Sequence, residues 1–147
     1  EAEKLKAALA LEISAGSIDV ETQEDRVVIR IREKAAFSSG GAHLNASFLP
    51  IMMKIHDALI LTSGRFVVAG HTDDIPINTQ QFESNWELST SRASAVVREL
   101  LKPGKFLPAQ FTAEGHAETM PIAPNDSNDN RAKNRRVELN VLPNNDK

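Results

Sequence analysis

Two side chains of opposite charge stand where a strand gives way to a helix: Asp73, which closes the run Gly70-His71-Thr72-Asp73, and Arg92, about one turn into the next helical segment. An aspartate and an arginine held together around a helix N-terminus suit a zwitterion. The guanidinium fork and the free backbone N–H groups take a carboxylate, while the aspartate takes an ammonium. An amino-acid head group has this form. The 18 residues between Asp73 and Arg92 say little about their separation in space. A right-handed strand-helix-strand crossover makes strand and helix neighbours, so the loop folds back and both side chains can point into one pocket. Asn85 precedes Arg92 by two helical turns and can share its face.

Other chemistries find less support. His71, Asp73 and Asp74 are possible metal ligands, but they crowd into one turn without i, i+4 spacing or a partner cluster, and no metal is expected. His43, His56 and His116 are scattered, with no Ser or Cys nucleophile in a recognisable frame. Gly40-Gly41 and Gly115 do not build a phosphate cradle, and no cofactor is implied. An enzyme acting on a polysaccharide would draw its acid and base from Asp73, Asp74 or Glu87, yet nothing fixes a pair of carboxyls at a working distance. Thr72 and Asn85 can serve as simple caps of the turn and the helix. One of Arg135 and Arg136 is expected to bridge the last strand to its neighbours. Trp86, the only tryptophan, reads as a core anchor for the loop rather than a platform at the pocket rim.

The elements that must position these groups follow from periodicity. Leu5, Ala8, Leu9 and Glu12 lie at helical spacing and the segment stops at Gly16, giving a short, weakly amphipathic N-terminal helix. Val27, Ile29 and Ile31 alternate with Val28, Arg30 and Arg32, a half-buried strand. Phe48, Ile51, Met52, Ile55 and Leu59 define a core-facing helix in which Met52 is packing. Phe66 to Gly70 is an apolar run suited to a central strand. A helix from about Asn85 or Ser89 to Leu101 turns Ala93, Val96, Val97, Leu100 and Leu101 inward and stops at Pro103-Gly104. Phe111–Gly115 is a third strand, Asn130–Asn134 a short helix, and Val137–Leu142 a fourth strand. The order β-α-β-α-β-(α)-β predicts an α+β two-layer sandwich, with helices on a small mixed sheet.

A chain of 147 residues with 41% hydrophobic and 25% charged residues is long enough to bury one core without staples. No cysteine is present, which removes disulfides, thiol catalysis and cysteine-bound zinc. A net charge of −3 and no basic run longer than Arg135-Arg136 argue against nucleic acid as a partner. No apolar window reaches the ~20 residues that cross a bilayer, and Glu1-Ala2-Glu3-Lys4 does not open a signal peptide. The start without methionine, inside a helix, leads us to expect a piece of a longer protein whose membrane anchor lies outside this sequence.

Three segments carry a family resemblance: Gly70-His71-Thr72-Asp73, Asn85-x-x-Leu88-Ser89-x-x-Arg92-Ala93, and Asn130-Arg131-Ala132-Lys133-Asn134-Arg135-Arg136-Val137-Glu138-Leu139. Over roughly residues 26 to 142 the chain resembles the OmpA-like peptidoglycan-binding domain. Asp74-Ile75-Pro76-Ile77, Ser84 to Ser89 and Pro121 to Asn125 look like its flagellar-stator branch, which holds MotB and the sodium-motor PomB, with PomB the nearer likeness. The resemblance implies a linker at residues 1–25, the binding domain at 26–143 and a tail at 144–147. It implies no catalysis, a homodimer, and a periplasmic domain tied to the inner membrane by an absent helix. The implied partners are a stator A subunit, periplasmic flagellar ring proteins and peptidoglycan, whose diaminopimelate side chain offers the zwitterion. By this resemblance Asp73 binds the ammonium, Arg92 the carboxylate, Thr72 and Asn85 add hydrogen bonds, and Arg135 or Arg136 closes the site. A wall-binding domain of an outer-membrane protein or lipoprotein is the alternative within the family. Residues 1 to about 25 are expected to rearrange before the wall is gripped. The chain departs from the family at Ala117, in Gly115-His116-Ala117-Glu118, where glycine is frequent, and at Asn130.

Overall fold

Ile18, Val20 and Thr22 alternate with Asp19, Glu21 and Gln23, and this stretch forms a strand, β1 (Ile18–Gln23), hairpinned to β2 (Arg26–Arg32). The sequence reading left this edge strand within the linker. A computed structural model gives the fold and describes residues 2–62 and 64–143; the tail expected at 144–147 lies outside the described residues. The other strands are β3 (Gly64–His71), β4 (Phe111–Gly115) and β5 (Arg136–Pro143), and one mixed sheet orders them β1-β2-β5-β3-β4. Only β3 and β4 run parallel. Register sets Ile29, Leu139 and Val68 side by side across β2, β5 and β3, a continuous apolar row.

The helices cover one face of this sheet. Short helices α1 (Ala2–Ala8) and α2 (Ala10–Ser14) precede β1, and α3 (Glu33–Ala36) is a single turn at the end of β2. The long helices are α4 (Leu49–Leu59) and α5 (Asn85–Leu101), and α6 (Asn128–Asn134) precedes β5. The expected core stripe of α4 is present: Met52, Ile55 and Leu59 are buried against the sheet and Ile51 packs at its margin. In α5, Ala93, Val96 and Leu100 join the same core. So do Leu5 and Leu9 of the N-terminal segment, whereas Ala8 of the expected stripe faces solvent. Among the described residues, no helix is long and apolar enough to cross a membrane.

Two glycines allow α5 to approach the strands that carry the site. A Cβ on Gly70 would collide with the Ser89 carbonyl oxygen and lie 2.8 Å from its carbon, and one on Gly115 would lie 2.7 Å from the Thr90 nitrogen. Only glycine permits this backbone-to-backbone contact.

Candidate functional site

Strand β3 ends at His71, and the chain turns at once into Thr72 and Asp73, both buried. The Thr72 N–H donates to the Ala117 carbonyl at 2.8 Å, tying this turn to the one after β4. Ala117 sits at φ 52°, the left-handed region that disfavours a side chain. That geometry favours glycine, and Ala117 is held in place because its N–H donates to Ser89 Oγ at 3.1 Å. The Thr72 hydroxyl donates to the Asp73 carbonyl at 2.8 Å. Asp73 Oδ1 accepts the Ile75 N–H at 3.0 Å, an Asx-type turn that fixes the carboxylate.

Helix α5 begins beside this turn. Its cap is Ser84, whose Oγ accepts the Trp86 N–H at 3.1 Å. Asn85 is thereby released from capping, and its amide instead donates to the Ile75 carbonyl at 3.1 Å, holding the 74–77 loop. Trp86 is 51% exposed, so it does not anchor the core as expected. At this position on the first turn its side chain falls outside the stripe that α5 buries.

Two turns on, Arg92 is 2% exposed and enclosed by protein. Its Nε donates to the Gly41 carbonyl at 2.7 Å, Nη2 to the Ser38 carbonyl at 3.2 Å and Nη1 to Glu33 Oε2 at 2.7 Å, while its Cζ lies 5.0 Å from the Phe37 ring centroid. Glu33, the first residue of α3, is the group that sequence reasoning missed. Its other oxygen accepts Arg135 Nε at 2.8 Å, and Arg135 Nη1 reaches Asp73 Oδ2 at 2.8 Å. Asp73 and Arg92 are thus joined indirectly, through an alternating chain Asp73-Arg135-Glu33-Arg92. Burial works against the Arg135 charge, and the Asp73 and Glu33 carboxylates outweigh it, holding its pKa above the usual value.

These groups line one cavity of about 950 Å³, formed by the ends of β2 and β3, the start of α5, the 75–77 loop and the 15–17 turn. Thr72, Asp73, Asn85, Arg92 and Arg135 all face it, as does Glu33. Arg136 does not. It lies 4% exposed with its guanidinium on Glu138, the Asn134 carbonyl and the Met120 carbonyl, at 2.8, 2.9 and 2.9 Å, a purely internal set of partners. Arg135, extended at the end of α6, and Arg136, the first residue of β5, turn their side chains to opposite sides, and only Arg135 serves the pocket. Asn134, also missed, is fully buried and clamps the segment before α6: its Oδ1 accepts from the Ile122 and Ala123 N–H groups at 2.8 and 3.0 Å.

On the sheet face away from the helices, His71 stacks on His116 with ring centroids 5.0 Å apart. Burial and the neighbouring Arg136 charge push the His71 pKa down to about 4, so its imidazole is neutral near pH 7. Among the described residues, no group of three or more His, Asp or Glu is placed to hold a metal ion.

Such a cavity, with two carboxylates and two guanidiniums in alternation, can bind a small ligand that carries both charges. Residues 36–135 match the model of the OmpA family. Motility protein B of Bacillus subtilis is 33% identical over 127 residues, 86% of this chain and 49% of that protein. The chain therefore spans about half the length of the curated relatives it matches. Among solved structures, the cell wall anchor of the T6SS from Pseudomonas aeruginosa superposes with a TM-score of 0.90 at 40% identity, covering 97% of this chain and 99% of that one. The periplasmic domain of Helicobacter pylori MotB superposes with a TM-score of 0.77 at 28% identity, covering 85% of this chain and 88% of that one. Fold and the extent of the match agree, and the chain belongs to the OmpA family.

Proposed function

We propose that this domain is a non-catalytic anchor that grips peptidoglycan by holding the amino-acid head group of a stem peptide, diaminopimelate, in the Asp73–Arg135 pocket. The observation that carries this reading is the alternating chain of carboxylates and guanidiniums lining one cavity, in a chain of the OmpA family. Asp73 and Arg135 have donors and acceptors aimed at the cavity, with Thr72 and Asn85 shaping its wall. Arg92 contributes from behind, because two of its donors hold the 38–41 loop and a third holds Glu33.

The machine anchored is, in the first reading, a flagellar stator: the chain is the periplasmic wall-binding domain of a B subunit, acting as a homodimer beside an A subunit. The motility relatives support it. The sodium-driven, PomB-like assignment rests only on the loop motifs at 74–77, 84–89 and 121–125. A second reading, the wall anchor of a secretion system, is favoured by a specific observation: the T6SS anchor matches end to end, at 40% identity over 97% of this chain. Swimming and secretion by a strain lacking the gene separate the two. The wall grip is common to both.

Co-sedimentation with purified sacculi tests the grip. Wild type is expected in the pellet, and folded Asp73→Asn and Arg135→Ala variants in the supernatant. Pelleting that survives both substitutions would refute this pocket as the site.

A further inference from the structure

The cavity holds one more carboxylate than a single ammonium and carboxylate require. Glu33 accepts Arg92 Nη1 at 2.7 Å through one oxygen and Arg135 Nε at 2.8 Å through the other. Its side chain is 13% exposed, and it stands on the one-turn helix at the end of β2, far in sequence from both arginines. Arg135 also holds Asp73, so Asp73 and Glu33 flank a single guanidinium on the wall of one cavity. Asp73 with two arginines alone would leave the site one charge positive and suited to a plain anion. With Glu33 the four charges cancel, and the alternation favours a ligand that is itself neutral and carries both signs.

Hydrogen-bonding capacity fits the same conclusion. Every oxygen of the two carboxylates has accepted one bond and keeps a further lone pair. Among the described residues, Arg92 and Arg135 keep two and three of their five N–H groups for a ligand. We infer that Glu33 is the second carboxylate of the ammonium position, so that the ligand's ammonium meets the remaining lone pairs of Asp73 and Glu33 on the cavity side of the Arg135 guanidinium they share, and the pocket prefers a zwitterionic head group to an anionic one. This rests on the stem-peptide reading and adds to it the residue that sets charge selectivity.

The test pairs one substitution with one change in the ligand. Dissociation constants are measured for the whole chain, as wild type, Glu33→Gln and Glu33→Asp. The two probes are a soluble stem tripeptide ending in meso-diaminopimelate and the same peptide acetylated on its side-chain amine. Losing a charge-assisted hydrogen bond corresponds to roughly tenfold or more in affinity. Glu33→Gln is therefore expected to weaken the free-amine peptide about tenfold and to leave the acetylated, anionic one unweakened. Glu33→Asp, which keeps the charge, is expected to retain part of the preference and carries the comparison if the glutamine variant does not fold. Equal loss on both peptides would make Glu33 a structural brace and overturn the inference. Tighter binding of the free-amine peptide by Glu33→Gln would also overturn it, since Glu33 would then compete with the ligand's carboxylate for the arginines. Wild type that fails to bind the free-amine peptide refutes the stem-peptide reading itself, and the inference with it.

Discussion

Arg135 and Arg136 are adjacent, chemically identical and put to opposite uses, because they follow α6 into a strand whose side chains alternate. Arg135 reaches Asp73 and Glu33 in the cavity, whereas Arg136 is fixed among Glu138 and two backbone carbonyls. Replacing a buried guanidinium that is paired with a carboxylate leaves that carboxylate uncompensated, which costs about 3–5 kcal/mol. Arg92 belongs to that class, so loss of binding on its removal would not separate recognition from unfolding. Arg136 also helps to set the acid limit of the fold through His71. An unfolded histidine takes up its proton near 6.5, while the folded His71, buried and facing Arg136, His116 and Arg30 with only Glu138 in opposition, resists until about 4. Between those values the unfolded chain binds the extra proton, so stability falls as pH drops from 6.5 towards 4 and is regained above 6.5. One such shift amounts to roughly 3 kcal/mol in total. Urea unfolding across this range is expected to show the decline in wild type and a flatter profile in His71→Gln. Parallel profiles would remove His71 as the cause. Asp73, Arg92 and Arg135 were legible as residues because their motifs are local. Glu33 was not: between Arg32 and Lys34 it reads as a solvated charge, and its partners lie 59 and 102 positions away.

At the scale of elements, what could be read is what repeats. Helices α4 and α5 each present a periodic apolar stripe, and β2 alternates, so all three were visible from composition and spacing. Strand β1 alternates as well, yet its turn hides it. The hairpin is closed by Glu24 and Asp25, with Glu24 at φ 55°, a conformation for which Asn-Gly would be the usual signature. Without that signal the strand merged into the segment before it. The seating of α5 was equally silent, since the glycines at 70 and 115 reveal a close approach only once strand and helix are side by side. Adding one methyl at Gly70 drives it into the Ser89 backbone, which cannot rotate away as a side chain would. Gly70→Ala is therefore expected to destabilise the domain by about 3 kcal/mol, measured as a lower urea midpoint with unchanged slope. Because α5 also carries Asn85 and Arg92, the displaced helix would weaken binding beyond the loss of folded protein. A Gly70→Ala variant as stable as wild type would show that α5 can slide over the sheet.

For the molecule as a whole, the N-terminal segment is part of the body that holds the site. Leu5 and Leu9 are almost fully buried in the core shared by α4 and the sheet, and Lys54 on α4 holds Glu12 at 2.8 Å. The turn after α2 lines the same cavity as Asp73 and Arg135. Any rearrangement of residues 1 to 25 before the wall is gripped must therefore expose two leucines, a cost of about 1.5–3 kcal/mol each, and would open one side of the pocket. An input of that size has to come from a partner or from tension along the chain, because the ion pair to Lys54 is half-exposed and contributes at most about 1 kcal/mol. Leu9→Ala measures this docking directly. It is expected to cost about 2–5 kcal/mol in urea unfolding, as for a leucine removed from a packed core. Leu11→Ala, at a side chain that is 74% exposed, is expected to stay within about 0.5 kcal/mol of wild type. If Leu9→Ala behaves like Leu11→Ala, the segment does not pack on the core in solution. The cavity would then be open on that side from the outset, leaving Asp73, Glu33 and Arg135 to hold the ligand without the 15–17 turn.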